Sequence, residues 1–308
     1  MYQLHSSRGF RSAAALLCIV ALGGCDVAKF TADSTAGLFT RAAPAFEEYW
    51  DYDLAGEAMP ATIVQFEGIL RVVPDNEAIL SQLAQAYVAY AYGWIEADVE
   101  ALEFEGEYDE ADVQRRRTKT MYLRALDLTR HWIRLYNPDV DLAVKGTVED
   151  LDAWLQGAFV EKEDAVMLLW HGYAWGSYIN SAKDDMEAIA DLEYAKAFVA
   201  RSIELDPDYY NAAGYTFMGV AIASEMASDM DESKAYFEKA LAATERRALQ
   251  AQLNMARYYA VKEGDRALFD KLLEEVMDAH DPLPEARLAN RMARERAELY
   301  IANADQLF

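Results

Sequence analysis

The stretch RVVPDNEAILSQLAQAY, residues 71–87, breaks its pattern in the middle, and the break decides the fold. Upstream, apolar residues recur every three or four positions, the period of one helix face. Pro74 then ends that helix, because proline has no N–H to donate and its ring crowds the preceding turn. The polar residues that follow, Asp75 and Asn76, carry oxygens able to cap a new helix. Downstream the same period resumes at Leu80, Leu83 and Tyr87. Pro-Asp stands in the same place in RLYNPDV (134–140) and ELDPDYY (204–210). Beyond Pro44 the text keeps the helical period and is rich in Ala, Leu, Glu and Lys, which favour helix. No alternating strand pattern and no Asn-Gly hairpin signal interrupts it. The expected fold class is all-α.

Pro74, Pro138 and Pro207 lie 64 and 69 residues apart, each about twice the roughly 34-residue period of tetratricopeptide repeats. The register of that repeat can be followed from these prolines. Its second helix is matched loosely by Thr62, Phe66, Ile69 and Pro74, and again by Ala195, Val199, Ser202 and Pro207. Its first helix is matched by Leu80, Leu83, Ala84 and Tyr87. Later come Tyr215, Met218, Gly219 and Ile222, followed by Ser233, Phe237 and Ala240. A last helical pair spans 253–276 and turns at Gly264-Asp265. Residues 104–117 read as a charged junction between helices, and 137–155 as an insertion with one small amphipathic helix. Residues 44–308 are therefore expected to form a single all-helical domain, with hairpins of tetratricopeptide-like type stacked into a compact solenoid.

The first 24 residues read as a signal segment. Arg8 and Arg11 precede the apolar run Ala13–Leu22, and small residues follow. The run is too short to span a membrane, which takes about 20 residues. Leu22-Gly23-Gly24-Cys25 resembles a bacterial lipobox, in which the cysteine is lipidated and becomes the first residue of the mature protein. That resemblance implies a lipid anchor at Cys25 on the periplasmic side of a bacterial membrane, inner or outer. Residues 25–43, rich in small and polar side chains, read as a tether. With Cys18 in the signal and Cys25 used for lipid, no disulfide is left to the mature chain. The formal net charge of −24 argues against nucleic-acid binding.

The search for chemistry returns little. No nucleophile elbow, phosphate loop, dinucleotide fingerprint or zinc-binding HExxH occurs. His131, His171 and His280 lack metal-ligand spacing, and DMDESK (229–234) lacks the glycine and distal glutamate of a calcium loop. No enzyme activity, metal or cofactor is expected. What stands out is aromatic content. Tyr87, Tyr90 and Trp94 share one stripe of a helix. In LLWHGYAWGSYIN (168–180), Trp170 and Tyr173 fall on one side, and His171, Trp175 and Tyr178 on another. Leu168, His171, Gly172 and Trp175 also fit the first-helix packing register, so ordinary core packing accounts for much of this segment. The second reading is a ring-lined pocket with a few polar tips. Its candidate ligand-binding residues are Tyr87, Tyr90, Trp94, Trp170, Tyr173, Trp175, Tyr178 and Asn180, with Tyr173, Tyr178 and Asn180 the least explained by packing.

Taken together, the lipobox, the acidic helical chain, the degenerate hairpins and the GYAWG helix (172–176) resemble the periplasmic T component of TRAP transporters. The resemblance covers the chain from Cys25 onward. It implies a lipoprotein that binds the solute-binding P subunit, assembles as a homotrimer and passes a small hydrophobic or organic-acid ligand through an internal cavity. The competing expectation is an envelope-assembly scaffold that holds a peptide or protein in an open repeat groove. The two differ in where the rings point, toward an enclosed cavity or into the core.

Overall fold

The computed structural model describes residues 24–308, but not the Cys25 side chain. The expected signal, apart from Gly24, and the expected lipidation of Cys25 lie outside the described residues. Helix α1 (Gly24–Glu47) occupies the stretch expected as a tether and runs through Pro44, so the boundary drawn at that proline falls inside a helix. Ala36, Phe39, Ala43 and Phe46 recur at helical spacing and are its inward-facing residues. Phe39 meets Phe66 edge to face at 4.8 Å, and the buried Ala36 joins the main core.

Next come α2 (Tyr52–Val72), capped by Asp51, and α3 (Glu77–Tyr90), capped by Asn76, whose side chain accepts the Ile79 N–H. A π-helical turn, Ala91–Ile95, leads without a break into α4 (Glu96–Glu105), which ends at the left-handed Gly106. The long α5 (Tyr108–Tyr136) stops just before Pro138. The expected small helix of the insertion is α6 (Val148–Ala158), opened by a Thr147–Asp150 capping box. Then follow α7 (Ala165–Ser181), α8 (Leu192–Leu205), α9 (Tyr209–Ser224) and α10 (Met230–Ala243). Asp229, from the stretch that begins like a calcium loop, caps α10. A second π-helical segment, Met255–Ala260, follows the short α11 (Gln250–Asn254). The chain ends with α12 (Arg266–Asp278) and α13 (Arg287–Ala302). No strand occurs among the described residues, and the fold is all-α.

Small residues set the closest helix approaches. A Cβ on Gly172 would stand 2.5 Å from Val199 Cγ2 and 2.8 Å from the Ala195 carbonyl, so α7 and α8 touch nearly backbone to backbone. Gly219 lies under the Phe237 ring in the same way, and Ser233 Oγ donates to its carbonyl at 2.8 Å. His171, next to Gly172, is fully buried against Phe198 and Trp175. Its Nδ1 lies 2.9 Å from the Thr129 hydroxyl.

The last long helix returns to the first two: α13 packs on α1 and α2. Leu288 and Met292 of α13 bury with Ala55 of α2, and Arg287 donates to the Glu48 carbonyl at 2.8 Å. The two ends of the helical array are thus in contact.

Candidate functional site

Three places in the backbone depart from regular α-helix, and each carries a tyrosine to the same interior. Tyr92 sits on the first π-helical turn and Tyr258 on the second. Such turns insert an extra residue into a helix at some cost and are found mainly at functional positions. Tyr210 opens a run of three left-handed residues, with φ of 50° at Tyr210, 55° at Asn211 and 58° at Ala212. Non-glycine residues avoid that region, at roughly 1–2 kcal/mol each, and such strain concentrates at functional sites.

Tyr173 of α7 lies within electrostatic reach of the Tyr92, Tyr258 and Tyr210 phenols. Tyr173, Tyr210 and Tyr258 are enclosed by the surrounding helices, and burial pushes their phenol pKa values upward. Yet none is sealed, for each keeps part of its surface accessible. The surroundings of Tyr210 are apolar: the Trp170 ring meets it at 4.8 Å, and Phe217 lies 5.3 Å from Tyr173.

At Tyr92 and Tyr258 the surroundings turn polar and charged. Arg296 of α13 lies 4.5 Å over the Tyr92 ring and ion-pairs with two carboxylates of α4, Glu96 at 3.3 Å and Glu100 at 3.1 Å. Glu96 also accepts the Tyr122 hydroxyl at 2.8 Å, and Glu100 accepts the Tyr300 hydroxyl at 2.9 Å. The carboxylates keep 19% and 18% of their side-chain surface open, against 7% for Arg296. Burial raises the Glu96 pKa, and Arg296 opposes that rise. For Arg296 burial disfavours the charge, but Glu100 and its neighbours outweigh it and hold the pKa up. Arg257, on the second π-helical segment, faces Tyr258 and Tyr300 at 5.8 Å each. Lys183, an exposed residue, lies within electrostatic reach of Arg257 and of Glu96, Glu100 and Glu103.

The eight residues singled out from the sequence are divided by the fold. Trp170 and Tyr173 lie together at 6.0 Å beside Tyr210, and Trp170 Nε1 donates to the Tyr209 hydroxyl at 3.1 Å. Asn180 shares the helical stripe of Tyr173, and its buried Oδ1 has no partner among the described residues. Trp175 is core, on the opposite side of α7 with His171, Tyr194 and the Arg130 guanidinium. Tyr178 lies under Lys119, 5.5 Å from its ring centre. Tyr90 and Trp94 form a separate group: Trp94 stacks on Tyr52 at 5.2 Å, and Tyr90 lies under Arg117. Tyr87 donates to Glu67, which Arg124 also holds at 2.7 and 2.8 Å. Of two surface depressions, one lies beside that pair and one beside Asp229, and neither is lined by a candidate ring.

Sequence reasoning missed Tyr92, Glu96, Glu100, Tyr210, Arg257, Tyr258, Arg296 and Tyr300. Their one visible signal was aromatic clustering in AYAYGW (89–94) and RYY (257–259). No helix of the described residues is long and apolar enough to cross a membrane. A family model described as TRAP transporter T-component matches residues 48–308. A comparison with curated proteins gives no match.

Proposed function

The chain belongs to the TRAP transporter T-component family, and from that premise we propose that it is a non-enzymatic accessory protein whose closed interior receives a small ligand. In this reading it is anchored through Cys25 on the periplasmic side of a bacterial membrane and binds the transporter's solute-binding P subunit. It takes the ligand from that subunit or hands it over through an internal crevice between Tyr210 and Lys183. The observation that carries the reading is that three backbone irregularities bring Tyr92, Tyr210 and Tyr258 within electrostatic reach of Tyr173. Repeat hairpins of tetratricopeptide-like type and a homotrimeric state complete it, on the strength of the family likeness.

Co-purification tests the partner. The lipidated chain, isolated in mild detergent from its own cells, should carry a periplasmic solute-binding protein with it. Recovery of the folded chain without any such protein, at low as well as physiological salt, would overturn the accessory role.

A further inference from the structure

α1 is continuous helix from Gly24 to Glu47, so no flexible spacer separates Cys25 from the body of the protein. Eight residues past Cys25, Asp33 accepts the side-chain amide of Asn76 at 2.9 Å, in the turn behind Pro74. At about 1.5 Å per residue, that contact lies only ~12 Å along the helix from Cys25. The end of α5 is tied to the same turn. His131 Nε2 stands 2.9 Å from Asp75, and the Tyr136 hydroxyl donates to Glu77. One edge of the array therefore carries the beginning of α1, the Pro74 turn and the end of α5.

This edge presents apolar groups to the outside. Val27 is 62% exposed, Phe30 72%, and Leu142, just past α5, 74%. Exposed apolar residues also occur elsewhere, at Tyr108 and Met226, so exposure alone does not single out this edge. The position of Cys25 does. Phe30 follows it by five residues, about 7.5 Å of helix, and interfacial helices bury their apolar faces about 5–10 Å into the headgroup region. Phenol rings such as that of Tyr136 favour the same level. The net charge of −24 disfavours an anionic surface, which leaves zwitterionic headgroups as the match. We propose that this edge rests on the zwitterionic headgroup layer of the bilayer, with Val27 and Phe30 entering it, so that Cys25 sets the orientation of the domain as well as its location. The inference rests on the anchor at Cys25 in the reading above and adds which face meets the membrane. Tyr108, about 40 Å from Tyr136 along α5, then points away from the lipid.

Lipidated chains carrying one added cysteine test it, since Cys18 leaves with the signal and Cys25 is acylated. Leu142→Cys and Tyr108→Cys, each labelled with a nitrobenzoxadiazole fluorophore, are reconstituted in vesicles of phosphatidylcholine and phosphatidylethanolamine, part of them spin-labelled at the headgroup. Quenching should be severalfold stronger in the Leu142→Cys protein than in the Tyr108→Cys protein. Adding Val27→Ser and Phe30→Ser, both at exposed positions, should leave the chains on the vesicles and remove most of that contrast. Equal quenching of the two labels, or a contrast indifferent to Val27→Ser and Phe30→Ser, would overturn the membrane-facing edge while leaving the anchor in place. Vesicle-bound chains with neither label quenched would overturn it too, and would point to a second copy or another protein over this edge. A chain without acyl groups by mass, which fails to float with the vesicles, is a different failure: it removes the anchor, and the orientation with it.

Discussion

His171 illustrates how a residue that invites a functional reading is absorbed by packing. It is fully buried between Phe198 and Trp175. Its one polar contact is the Thr129 hydroxyl, which itself bonds the Ala125 and Leu126 carbonyls. Nε2 has no partner among the described residues. Burial, and next the Arg130 charge, lowers its pKa from 6.5 to about 3. The sign of the consequence follows. Below pH 6.5 the unfolded chain takes up a proton at His171 that the folded chain refuses, so stability is lost as pH falls from 6.5 toward 3. Urea unfolding at pH 7 and pH 5 should therefore show His171→Leu gaining on the parent by about 2 kcal/mol over that interval. A pH-independent difference between the two proteins would contradict this. In the sequence His171 was legible as structural because it stood in a packing register. Arg257 and Glu96 were not legible, because one charged residue among so many says nothing until its partners are known. Those partners lie about 200 positions away, as with Arg296 and Glu96 or Tyr300 and Glu100.

Among the elements, helices and their ends were readable because they depend on local rules: period, proline, capping side chain. Glycine in the first-helix register was readable for the same reason, and the structure gives it a physical cause. Gly172→Ala should destabilise by about 1–3 kcal/mol through forced separation of α7 and α8. Gly68→Ala, at an exposed site in α2 with nothing within 4 Å of the added Cβ, should stabilise by roughly 0.5–1 kcal/mol. Thermal melts of the two variants decide the point, and similar shifts for both would refute the close contact. The two π-helical segments and the left-handed turn at Tyr210 were invisible, since AYGWI, MARYYA and YNA (210–212) have nothing that distinguishes them from ordinary helix text. They exist because distant packing requires a particular ring in a particular place, and that requirement is tertiary. The stretch 25–43, expected as a tether, is helical, and its small residues hid an inward stripe at Ala36, Phe39 and Ala43.

At the scale of the molecule, closure of the array is the property from which the rest follows. With α13 seated on α1 and α2, and Arg287 bonded to the Glu48 carbonyl, the last helix is held where Arg296 and Tyr300 meet α4. All-α class and approximate hairpin register were within reach of the sequence. Closure was not, because repeat periodicity describes neighbours and is silent on whether the ends meet. The family match, from residue 48 to residue 308, takes in α2 and α13 and leaves α1 outside. The central claim, a water-accessible space inside a closed helical array, can be tested by thiol labelling in a chain whose two cysteines, Cys18 and Cys25, are replaced by serine. Tyr173→Cys and Leu168→Cys lie on the same helix, the first partly accessible and the second fully buried. A small charged methanethiosulfonate should modify the folded Tyr173→Cys protein and leave Leu168→Cys untouched until it is unfolded. Equal protection of the two thiols in the folded protein would contradict the account.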